Sequence, residues 1–181
     1  AYEIKECDWS SDVCSSDLSW GMTPQQVRGA AKIPVKDNSD LHRDSDGNVT
    51  KLIAPYQSGK FAFAAEFGFD AKDRLSSVTL VLNDKSAGMD MGAEMDMSMH
   101  AGMDHGGCAD LLASVKSAHG PAQGGGTAHM QYTIETWHDQ KNMNNVKYTV
   151  LDGVGCYVQY SAVKSDPVAQ RRWIEGAHEG R

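Results

Sequence analysis

The chain has 181 residues, 40% of them hydrophobic and 23% charged, with a net charge of −7 and a pI near 5.4. That length suits one globular domain or two small fused units with a sizeable core. The acidic balance argues against nucleic acid, which recruits basic faces, and no apolar run approaches the roughly 18 residues of a membrane span. The expectation is a soluble, mildly acidic protein with no transmembrane segment and no nucleic-acid partner.

The N-terminal stretch "CDWSSDVCSSDL", residues 7–18, resembles the translation of a common sequencing adapter, with Asp8 through Asp17 matching without a mismatch. It is read as a library artefact in preference to a Ser/Asp-rich linker, so Cys7, Cys14 and Trp9 carry no functional information. Residues 1–18 are expected to be an artefactual or disordered N-terminus with few buried contacts. Whatever preceded Ser19, a signal peptide included, is hidden.

Next comes "WGMTPQQVRGAA". Thr23 stands as N-cap, Pro24 at the first helical position and Gln26 at the capping-box position, with Met22 and Val27 placed for a hydrophobic staple. A helix is predicted there. "HRDSDGNVT" resembles part of an EF-hand loop, but His42 would hold the first ligand position and Ile53 the twelfth, so the segment reads instead as a type I′ hairpin turn at Asp46-Gly47. Strands are predicted for "VTKLIAPY", for "KFAFAAEFGF" with Phe61, Phe63, Phe67 and Phe69 on one face, and for "RLSSVTLVL" after a turn at Asp70 to Asp73.

The second half repeats that order. "CADLLASVKSAHGP" places Cys108, Leu111, Leu112 and Val115 at i, i+3, i+4 and i+7, and Gly120 and Pro121 are stop signals, so a helix is predicted over 108–119. "HGPAQGGGT" lacks the Gly-Lys-Ser/Thr that cradles phosphate and reads as a flexible connection. Strands follow in "HMQYTIETWH", which alternates Met130, Tyr132 and Ile134 against polar neighbours, in "NNVKYTVLD" and in "GCYVQYSAV". His129 and His138 fall on opposite faces of their strand and read as surface or satisfied histidines. The fold class expected is α+β: two helix-plus-three-strand antiparallel units in tandem, helices packed on sheet. The units are 19–82 and 108–163, separated by a Met/His-rich flexible linker loop at 83–107 and followed by a C-terminal tail or short helix at 164–181.

Cys108 lies on the buried stripe of its helix, and Cys156 shares a strand face with Val158 and Tyr160. Both thiols point at one core. They form a disulfide, which implies an oxidising compartment, or remain two reduced buried cysteines, which behave as small hydrophobes; the disulfide is favoured.

"WGMTPQQV", the later "FGFDAKDRLSSVTLVL" and a second helix ending "HGP" before a Trp-containing strand resemble a class of bacterial periplasmic proteins. Their units are similar to the outer-membrane assembly lipoprotein fold and, in tandem, to the β-lactamase-inhibitor-protein fold. The resemblance covers roughly residues 19 to 163 and implies a helix-backed antiparallel sheet, export to the periplasm or secretion, and binding rather than catalysis. It transfers no functional residue.

Between the two units runs "GMDMGAEMDMSMHAGMDHGG", residues 88–107, with six of the chain's nine methionines and two of its seven histidines. It contains no Leu, Ile, Val or aromatic residue and cannot build a core. A connection of this length is either functional or disordered. Thioethers are soft ligands that select Cu(I), and unlike thiolates they are not consumed as disulfides. Met89, Met91, Met95, Met97, Met99 and Met103 recur at spacings that one loop can wrap around an ion, with His100 and His105 as imidazole donors and Asp90, Glu94, Asp96 and Asp104 as hard oxygen donors. Over residues 88–105 the pattern resembles the Met- and His-rich segments of periplasmic copper-resistance proteins. Soft-metal binding leads, ahead of an inert linker and of a sink for methionine oxidation.

No HExxH, GxSxG or CxxC is present, and Cys156 on an apolar strand face is inert as a nucleophile, so the chain is not expected to be an enzyme. Two functions remain. One is an exported Cu(I)-binding protein whose Met/His loop captures the ion. The other is a periplasmic protein-binding module, of inhibitor or envelope-assembly type, whose sheet recognises an envelope protein partner and in which the Met-rich loop is incidental.

Overall fold

A computed structural model describes residues 18–83, 107–128, 132–139, 144–151 and 154–163. Its elements in chain order are α1 (Pro24–Ala30), β1 (Lys36–Asp37), β2 (Val49–Ser58), β3 (Phe61–Phe69), β4 (Leu75–Leu82), α2 (Cys108–His119), β5 (Gly124–Ala128), β6 (Tyr132–Asp139), β7 (Asn144–Leu151) and β8 (Gly155–Ala162). Among the described residues no helix is long and apolar enough to cross a membrane.

The strands form one eight-stranded sheet in the order β1-β2-β3-β4-β8-β7-β6-β5, and every neighbouring pair is antiparallel. This overturns the expected pair of tandem helix-plus-three-strand units. β4 and β8 pair directly, from Ser77↔Ser161 to Val81↔Tyr157, so the backbone ladder runs unbroken between the two halves of the chain. The helices are minor elements of 7 and 12 residues against that sheet. Two strands were also unforeseen. β1 is a two-residue edge, and β5 is built from the Gly tract read as a flexible connection. Glycine is required there: Gly125 has φ +137°, and a Cβ on it would collide with the Ile134 carbonyl of the paired strand.

The helices form where the local chemistry dictates. Thr23 caps α1, its Oγ1 accepting from Gln26 N–H (3.3 Å) while Gln26 Oε1 accepts from Thr23 N–H (2.9 Å). α2 buries Cys108, Leu111 and Val115 and ends at Gly120, which has φ +80°. With Val27 of α1 these side chains join one core cluster that also contains Leu52, Phe61, Phe63, Phe67 and Phe69, Val146, Val158 and Tyr160. Tyr148 Oη donates to the Cys108 carbonyl (2.9 Å), and a Cys108–Cys156 disulfide, Cα–Cα 5.8 Å, fastens α2 to β8. Leu18 is buried in the same cluster; Trp9 and Val13 lie outside the described residues.

Two local expectations are corrected. Among the described residues only Asp73 has positive φ without being glycine, so Asp46 cannot occupy a type I′ turn. Instead Gly47 N–H donates to Asp44 O (3.0 Å), Asp44 N–H donates to Asn48 O (2.9 Å), and Gly47 alone takes the left-handed position at φ +83°. That is a three-residue hairpin loop closing in a glycine bulge. On β6, Ile134 pairs with Thr149 and Trp137 with Val146, so the two apolar side chains project to opposite faces. Trp137 takes the core, 1% exposed, with its indole N–H donating to the Gly120 carbonyl (2.9 Å), and Tyr132 and Ile134 are turned away from it.

Candidate functional site

All eight residues proposed from the sequence as metal ligands (Met89, Met91, Met95, Met97, Met99, His100, Met103 and His105) lie outside the described residues. What is described is where their segment is rooted. Asn83 follows β4, its N–H donating to the Ala62 carbonyl (2.8 Å), and Gly107 precedes α2. A Cβ on Gly107 would come 3.1 Å from Leu82 Cδ2, so the described residues that flank the segment meet at one place. The next residue, Cys108, is pinned by the disulfide. Among the described residues no group of three or more His, Cys, Asp or Glu is arranged to hold a metal ion.

The sheet itself offers a second surface. Alternation along the strands places Leu52, Phe67, Val146, Val158 and Trp137 under the helices and sends the intervening residues to the other face. The ladder aligns those into rows: Ser77, Ser161, Asn145 and His138 in one, and Glu66, Thr79, Gln159, Lys147 and Thr136 in the next. Further along, Val81, Tyr157, Thr149 and Ile134 form a row, with Leu151 and Tyr132 beyond it. This face is polar at one end and apolar at the other.

The hairpin around residues 42–48 folds over the polar end. Asp44 anchors it. One carboxylate oxygen accepts from the N–H of Asp46 (2.9 Å) and of Asn48 (2.9 Å). The other accepts from Ser77 Oγ, from Asn48 Nδ2 (3.1 Å) and from Gln159 Nε2 (3.0 Å). Burial raises the Asp44 pKa, but the hydrogen bonds from Ser77, Asn48 and Asp46 outweigh it, and the net shift is downward. His42 Nε2 meets Glu66 (3.2 Å) on the same face. Burial lowers the pKa of His42, but the Asp40 carbonyl and the Glu66 carboxylate more than compensate, leaving it raised.

Between this hairpin and β6, β7 and β8 lies a concavity of about 490 Å³. Asp46 and Asn48 wall it, Thr136, His138, Asn145, Lys147, Gln159 and Ser161 floor it, and Ala162 and Val163 close the rim. The sequence reads His138 as a surface or satisfied histidine; its Nδ1 does meet Asn145 Oδ1 (2.7 Å) while the residue stays exposed. Nothing in the sequence marked the pocket, because its residues come from segments far apart in the chain and none is unusual alone. The other histidine with a distinct environment is His119, at the end of α2 beside Trp137 and Tyr160. Its Nε2 is buried without a partner, and burial lowers its pKa against the opposing charge of Asp139. Tyr160 is raised by full burial, with Tyr56 and Asp139 adding to the shift.

No protein-family model, no curated protein and no solved structure matches the chain.

Proposed function

We propose that the protein is an exported, non-catalytic binding protein in which a disulfide-fastened sheet carries a Met/His-rich segment that captures Cu(I). The observation that carries this reading is the donor set of residues 88–105, six thioethers and two imidazoles, between two chain ends that meet at Leu82 and Gly107. Two further points support the reading. The Cys108–Cys156 disulfide belongs to an oxidising compartment, where thioethers outlast thiolates as soft donors. The resemblance to copper-resistance segments concerns the same residues.

The test is competition for Cu(I) against a chromogenic chelator, with ascorbate holding the ion reduced. The parent should take up one or more Cu(I) and prefer it to Zn(II). Single Met→Leu changes should cost little, because neighbouring thioethers replace the lost ligand. Changing Met89, Met91, Met95, Met97, Met99 and Met103 together to Leu should abolish uptake with the circular dichroism unchanged. A six-fold variant that competes as well as the parent removes the proposal.

A second reading, a protein-binding module for an envelope partner, is favoured by the half-buried row of Val81, Tyr157 and Ile134 on the helix-free face. It predicts that a partner retained by the parent is retained equally after deletion of residues 88–105 and lost in a Val81→Ser, Ile134→Ser double variant. The opposite pattern excludes it.

A further inference from the structure

The pocket at the polar end of the open face has a chemistry of its own. Its floor is a grid of two cross-strand rows, Thr136↔Lys147↔Gln159 and His138↔Asn145↔Ser161, with all six side chains on one face. Several of these groups keep hydrogen-bonding capacity. The contact of His138 Nδ1, which donates to Asn145 Oδ1, leaves His138 Nε2 as an acceptor and the Asn145 Nδ2 protons as donors. Lys147 Nζ contacts Ser45 Oγ and retains further protons. Among the described residues the hydroxyls of Thr136 and Ser161 and the carboxylate of Asp46 have no protein partner.

That inventory selects a ligand class. Hydroxyls, amides and imidazole both donate and accept, as a ligand rich in hydroxyls requires. A phosphate accepts only and is held by clustered cations. Here a single cation, Lys147, shares the pocket with the carboxylate of Asp46, so the opposing charges leave no cationic cluster to hold a dianion. A wholly apolar ligand would strand the polar groups without partners. Ala162 and Val163 on the rim offer apolar surface to the C–H side of a ring. The volume of about 490 Å³ lies within the ordinary range of small-molecule sites.

We infer that this pocket is a saccharide-binding site, formed by Asp46, Thr136, His138, Asn145, Lys147 and Ser161. It lies apart from the place where the Met/His-rich segment joins the sheet, because β4 runs from Ser77 in the pocket's row to Leu82 at its other end, beside Gly107.

The test is an NMR titration of the intact, nitrogen-15-labelled protein with maltotriose and with chitotriose, using glycerol, glutarate and inorganic phosphate as comparators. A saturable shift with at least one trisaccharide is expected, confined to amides of residues 136–138, 145–147 and 159–161. Thr136→Val, close to isosteric, and Asn145→Ala should each weaken it roughly five- to tenfold, the loss of about one hydrogen bond. Deletion of residues 88–105 should leave it unchanged. The inference is overturned if neither trisaccharide gives saturable shifts in the pocket, if phosphate or glutarate binds more tightly than both, or if Thr136→Val and Asn145→Ala bind like the parent. Thermal unfolding of both variants separates lost binding from lost fold.

Discussion

On β6, Trp137 is 1% exposed beneath the helices, while Ile134, three residues earlier, stands half-buried on the open face. On β8, Tyr160 is enclosed and Tyr157, again three residues away, is half-buried on the other side. The same strands therefore build two unlike surfaces by alternation alone. The helix-covered face holds the large fully buried side chains and the disulfide. The open face buries few side chains, chiefly polar ones such as Asn48, Ser77, Thr79 and Gln159, and the Asp44 carboxylate ties Asn48, Ser77 and Gln159 together. One face is held by apolar packing and the other by hydrogen bonds to a single anion, so the two should fail differently.

The largest difference should come from truncating equivalent apolar residues on one strand. Trp137→Ala removes a fully buried indole and leaves a cavity, and should cost about 3–5 kcal/mol in urea unfolding. Ile134→Ala on the open face should cost under about 1.5 kcal/mol, because its side chain is only partly removed from water. Equal losses would mean that the assignment of faces on β6 is wrong.

Opening the disulfide should weaken the covered face almost as much. The bridge spans 48 residues, for which the chain-entropy model gives about 4 kcal/mol. Cys108→Ala with Cys156→Ala should lower stability by that order at all pH values, since neither half of a disulfide titrates. A loss below about 1 kcal/mol would show that packing of Leu111 and Val115 holds α2 unaided.

The open face should respond to acid instead. The pKa of Asp44 is lower in the folded chain than its ordinary value of 3.8, so its stabilisation is fully present above that value and is lost as pH falls through the folded pKa. Asp44→Asn should cost about 1.5–3 kcal/mol at neutral pH, the range for hydrogen bonds to a charged group. The parent and variant curves should converge as acid protonates Asp44. A constant offset down to the lowest accessible pH would mean that Asp44 acts through its shape rather than its charge.

Much of the local structure was legible in particular residues. Thr23, Pro24 and Gln26 specify the start of α1 by satisfying its free N–H groups. The spacing of Cys108, Leu111 and Val115 specifies the buried side of α2, and together with the alternation through Cys156 and Val158 it aims both thiols at one core. Phe61, Phe63 and Phe67 announce the inner face of β3. Each of these signals lies within about one turn or a few residues of strand, where backbone geometry couples neighbours directly.

Tertiary structure decided the rest, because the deciding partners are distant in sequence. The pairing of β4 with β8, which merges the two halves into one sheet, matches residues near 79 with residues near 159, and local periodicity carries no register between segments so far apart. The Gly tract at 124–126 became a strand through the backbone of β6, since glycine has no side chain with which to announce it. The inner side of β6 was fixed by competition for the core, where Trp137 packs with its indole N–H satisfied by the distant Gly120 carbonyl, while Tyr132 and Ile134 lie on the other face. The polar pocket was invisible for the same reason: Asp46, Thr136, Asn145 and Ser161 are ordinary surface residues until four segments are brought together. The sequence by itself determined the caps, the buried stripes and the donor set of residues 88–105. Which surfaces those elements leave open was settled only when long-range strand pairing merged them into one sheet and chose the side of β6 that faces the helices.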